Sequence, residues 1–126
     1  MKRKNAQFIG IVERGEGIAL QDYDIATANL CFDSIIPLDS GVYAAFTEYN
    51  GKIYQSIVCY GVGVPKKFEV HLFGFEKEIY GEILQVTVVE KVSEIIPWES
   101  RERMRQKIIH DVELVQEVFK KNKGTL

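Results

Sequence analysis

The chain has 126 residues, 46% of them apolar, and a formal net charge of −2. That length fits one domain, 1–126, with a core of its own and no dependence on disulfides, metals or a partner for folding. No apolar run approaches the roughly 18 residues of a membrane helix. The basic start Met1-Lys2-Arg3-Lys4 passes straight into a short alternating segment, not into a signal-peptide apolar region. The expectation is a cytoplasmic monomer without membrane attachment, and the near-zero charge offers no electrostatic footprint for nucleic acid.

The first two-thirds read as short strands. Residues 7–12 form a first strand, stopped by Gly15 and Gly17. Residues 41–49 alternate, with Val42, Ala44 and Phe46 on one face and Tyr43, Ala45 and Thr47 on the other. Asn50-Gly51 tolerates the positive φ angles of a two-residue hairpin turn, and 52–60 is the return strand. Residues 68–73 alternate again, placing Phe68, Val70 and Leu72 opposite Glu69, His71 and Phe73, and 83–89 is a further strand. After Pro97 the period changes. Ser100 can cap a helix over 100–121 whose inner stripe is Met104, Ile108, Asp111/Val112, Val115 and Val118/Phe119. Strands at such short spacing point to a small barrel, about 7–90, because closure removes exposed edges.

Few residues carry chemistry by themselves. Cys31 and Cys59 stand far apart without a CxxC pair, and with only His71 and His110 beside them they read as reduced thiols, not zinc ligands. Gly61-Val62-Gly63 with Lys66-Lys67 can hold an anion or simply form a loop. In Thr27-Ala28-Asn29-Leu30 the hydroxyl and the amide point the same way if the segment is extended. They then offer two neutral oxygens to a hard cation; the alternative is a turn-forming pair. Glu69, on a strand whose other face is apolar, faces either solvent or a cavity, and in a cavity it can act as a general base.

Taken in order, these motifs form a pattern. A glycine-bearing loop leads to Thr27-Ala28-Asn29-Leu30, then to Pro37 and Gly41-Val42-Tyr43-Ala44. Phe68-Glu69-Val70-His71-Leu72 and Phe75 follow, then Ile79-Tyr80-Gly81-Glu82-Ile83-Leu84, and finally a helix carrying Asp111. Over essentially its whole length the chain resembles the riboflavin kinase family of bacteria and eukaryotes. The resemblance implies a mainly β fold: a six-stranded antiparallel Greek-key barrel with a C-terminal helix. It implies transfer of the ATP γ-phosphoryl group to the riboflavin 5′-hydroxyl, giving FMN, with Mg²⁺ as cofactor. By the same resemblance Thr27 and Asn29 hold the Mg²⁺–nucleotide and Glu69 is the catalytic base. Gly15, Gly17, Gln21, Leu72 and Tyr80 lie on the nucleotide side, and Ser93, Ile96 and Trp98 on the flavin side.

Several positions depart from the family pattern. Ala19 replaces a glycine, Gln21 a basic residue, Asp24 a later glycine and Ala26 the proline before the Thr-Ala-Asn motif. Past the barrel the family carries Arg, Lys and Phe where Ser93, Ile96 and Trp98 stand, so an aromatic ring remains and two charges are lost. Lys66 or Lys67 is a candidate replacement for the basic residue missing at Gln21. Three readings follow: a working kinase, a flavin- or nucleotide-binding regulatory module without catalysis, and a barrel used for protein contact. In many bacteria the kinase is fused to an FMN adenylyltransferase; 126 residues hold the kinase half, so FAD synthesis is expected elsewhere.

Overall fold

The computed structural model describes residues 6–13, 26–32, 36–62, 66–75, 79–97 and 99–121. Six strands precede one helix: β1 (Gln7–Glu13), β2 (Ala26–Cys31), β3 (Gly41–Tyr49), β4 (Lys52–Val62), β5 (Lys67–Leu72), β6 (Ile83–Ser93) and α1 (Arg101–Lys121). They close an antiparallel barrel in the order β1-β2-β5-β4-β3-β6. β3, β4 and β5 form a meander and β2 lies beside β5, which is the Greek-key crossing. The segment 26–31, read only as conditionally extended, is a full strand, and β6 runs three residues beyond the expected barrel end at 90 to Ser93.

Asn50 and Gly51 take φ angles of 51° and 80°, as the hairpin between β3 and β4 requires. Gly61, at a φ of 121°, marks the register shift where β4 bulges against β5, and a Cβ there would run into Ser40 Oγ.

Both faces of β3 are buried, for different reasons. Tyr43 and Ala45 turn inward with Val58, Phe68, Val70, Leu72, Leu84 and Val86 to fill the barrel. Thr47 and Ser56 are also fully buried, and their hydroxyls bond each other at 2.7 Å, which removes the cost of two unpaired groups. Val42, Ala44 and Ile57 turn outward and are covered by Val115, Val118 and Phe119 of α1. The helix begins where Ser100 Oγ accepts a hydrogen bond from the Arg103 backbone N–H at 3.1 Å, a cap worth about 1 kcal/mol. Its last turns are held by the Phe119–Phe46 ring contact at 5.1 Å.

Candidate active site

Residues directly opposite in an antiparallel ladder share a face. Glu13 pairs Asn29, Asn29 pairs Glu69, Glu69 pairs Cys59, Cys59 pairs Val42, and Val42 pairs Ser93. Their neighbours Ala28, Val70, Val58 and Tyr43 fill the barrel, so this row lies on the outer wall and crosses all six strands. Of the residues singled out from sequence it brings Asn29 and Glu69 side by side, while Ser93 stands three strands from Glu69. Thr27 lies one step along β2, paired with His71, and its side chain is outside the described residues.

At the β2–β5 end of the row Asn29 is buried, and among the described residues no donor reaches its Oδ1. A buried acceptor left without a partner costs about 1–3 kcal/mol. The carboxylate of Glu69, 26% exposed, stands in the adjacent strand. The orphaned Asn29 oxygen is the kind of neutral donor that a hard divalent cation takes, and it fits such an ion. His71 Nε2 lies 3.8 Å from Glu69 Oε2. Burial pushes the His71 pKa down to about 4, so at neutral pH the imidazole is uncharged and the contact is no ion pair. The Cys59 thiol is pushed up to about 12, first by burial and then by the charges of Glu69 and Asp111.

At the β6 end, Ser93 Oγ donates to Asp111 Oδ1 at 2.6 Å and accepts from Lys107 Nζ at 2.9 Å. Lys107 Nζ also contacts Asp111 Oδ2 at 2.5 Å, one helical turn away. The positions of Ser93 and Ile96 bring no charge, yet a cation does stand here, supplied by the helix. Sequence reasoning missed Lys107. Its spacing of four from Asp111 was the available signal, since such pairs share a helix face. Ile96 is half-buried in the connection that follows β6.

Tyr80 is 46% exposed at the rim where β1 ends. The adjoining turn is tied to that strand: Gly81 N–H donates to Val12 O and Val12 N–H to Glu82 O, both at 2.8 Å. Gly81, with Glu82, Ile83, Tyr49 and Asn50, lines an open cleft of about 320 Å³. Leu72 turns the other way and is fully buried inside the barrel, so its side chain does not reach the site. Lys66 lies 5.9 Å from the Tyr60 ring, just before β5. Gly15, Gly17, Gln21 and Trp98 lie outside the described residues.

A family model described as Flavokinase: Riboflavin kinase matches residues 2–119. The chain belongs to the riboflavin kinase family. It is 30% identical over 102 residues to a bifunctional riboflavin kinase/FMN adenylyltransferase of Buchnera aphidicola, covering 74% of this chain and 32% of that protein. It is 27% identical over 88 residues to an RNA-binding riboflavin kinase of Bacillus subtilis, covering 65% of this chain and 38% of the relative. The chain thus spans about a third of the length of these curated relatives. The solved riboflavin kinase of Trypanosoma brucei superposes with a TM-score of 0.71 at 16% identity, over 100% of this chain and 85% of that one. That likeness confirms the barrel with its C-terminal helix.

Proposed function

We propose that this riboflavin kinase-family domain phosphorylates riboflavin, transferring the γ-phosphoryl group of ATP to the ribityl 5′-hydroxyl and releasing ADP and FMN. The observation that carries this reading is the pairing of Asn29, with its unpartnered buried oxygen, and Glu69 on one outer row of the barrel. Thr27 and Asn29 would hold Mg²⁺, which when bound neutralises phosphate charge. Glu69 takes the hydroxyl proton as the riboflavin oxygen forms its bond to the γ-phosphorus and the bond to the ADP oxygen breaks. His71, kept neutral by burial, lies beside Glu69 without neutralising it. Such transfer depends mainly on positioning and charge, so a rigid barrel wall suffices to align the groups.

Three interstrand steps separate Glu69 from Ser93, and α1 covers Val42 between them. Glu69 receives the ribityl end, and the family resemblance puts the flavin side at Ser93 and Ile96. The nucleotide lies on the side of Asn29 and Tyr80. Two thiols outside any disulfide suit a reducing, cytoplasmic setting, in which the domain acts as a monomer.

Incubation with riboflavin, ATP and Mg²⁺, with FMN resolved by chromatography, tests the reading. FMN accumulating in proportion to protein supports it. Absence of FMN at high protein concentration, with riboflavin still bound, replaces it with the regulatory module that the substitutions at Ala19, Gln21, Asp24 and Ala26 favour.

A further inference from the structure

The Lys107–Asp111 pair is not needed to place the phosphoryl-transfer groups, yet it is a largely buried ion pair, its side chains 16% and 5% exposed. Burying two charges costs several kcal/mol before their attraction offsets it, so such a pair is poor evidence for stability alone. Its geometry is a closed cycle: Lys107 donates to Asp111 and Ser93, and Ser93 donates to Asp111. The cycle joins the last residue of β6 to the second and third turns of α1.

Between those points runs the connection 94–100, and further contacts secure it at both ends. Glu94 pairs with Lys91 of β6 at 2.7 Å, Glu99 with Arg103 of α1 at 3.3 Å, and Ser100 caps the helix. Ile95 packs against the cluster beneath the helix. The exposed pairs contribute little each, because solvent screens them. The enclosed cycle at Ser93 is therefore the principal anchor.

We propose that Lys107 is a positioning residue for the riboflavin site: with Asp111 it fixes Ser93 and thereby the placement of the connection carrying Ile96. The inference rests on the kinase reading for the identity of the ligand. It predicts an effect confined to the flavin side, since on that reading Asn29 of β2 and the turn at Gly81 serve the nucleotide, and the cycle touches neither.

The experiment compares wild type with Lys107→Met and Lys107→Arg by riboflavin titration, Mg-ATP titration and amide hydrogen exchange. Lys107→Met should weaken riboflavin binding about tenfold and leave Mg-ATP binding within about twofold. Exchange at residues 94–96 should rise while the barrel amides stay protected. Lys107→Arg, which keeps the charge and a donor, should recover riboflavin affinity to within about threefold. If Lys107→Met does not fold, Ser93→Ala, which retains the ion pair, must show the same selectivity in milder form. A lowered melting temperature with both affinities and the exchange at 94–96 unchanged overturns the inference. Wild-type protein that binds no riboflavin overturns the kinase reading instead, and the exchange comparison still decides whether the cycle places the connection.

Discussion

Asn29 and Glu69 stand opposite each other across the β2–β5 ladder, both side chains on the outer wall, and the Asn29 oxygen there has no donor among the described residues. A group held at that cost in the ligand-free protein is stabilised when a cation arrives. Replacing it with an apolar residue of similar volume removes the unpaired acceptor. Asn29→Leu should therefore raise the melting temperature of the ligand-free protein, by the equivalent of about 1–2 kcal/mol. It should also abolish the further rise that Mg²⁺ with ATP gives the wild type, which differential scanning calorimetry would read directly. A variant that still gains the full ligand-dependent shift would remove Asn29 from the cation site.

His71 links the same wall to acid stability. The unfolded chain binds a proton on this imidazole near 6.5, whereas the folded chain does so only near 4. Stability is thus fully present above pH 6.5 and falls as pH drops from there toward 4, because the unfolded state takes up the proton first. The loss is on the order of 3 kcal/mol. His71→Leu has no proton to gain, so its urea midpoint should fall less steeply over this window than that of wild type. Parallel slopes would show that His71 is not the group responsible.

The two thiols should differ in reactivity. Cys31 is exposed, whereas Cys59 is half-buried and held as the protonated thiol by its surroundings and by the charges of Glu69 and Asp111. Native protein treated with a thiol-alkylating reagent at about pH 8, near the ordinary thiol pKa, should label Cys31 first and Cys59 only on unfolding, as peptide mapping would show. Equal labelling rates would mean that the wall around Cys59 opens readily.

Much of this wall is legible in the sequence because its strands alternate. The period of two in 41–49 and 68–73 by itself separates Glu69 from Phe68 and Val70, and the change of period after Pro97 marks the helix. Alternation does not say which face of β3 meets the helix, since both of its faces are apolar and both are buried. Nor does it reveal which residues stand opposite each other. That Asn29, Glu69 and Ser93 share a row depends on register between strands far apart in the chain, fixed only when the barrel closes. Leu72 is the reverse case: alternation already sets it with Phe68 and Val70, and it points into the core with them, whereas only the family resemblance put it on the nucleotide side. Lys107 escapes a sequence reading because a charged residue beside the helix stripe reads as solvated, and only the fold shows Ser93 beneath it.

Glu69→Gln provides the most direct test of the central assignment, measured as FMN formation with riboflavin affinity determined in parallel on the same protein. The amide keeps the shape and removes the proton acceptor. Turnover should fall by about two to four orders of magnitude, while riboflavin binds nearly as in wild type. Undiminished turnover in a folded Glu69→Gln protein would contradict the account.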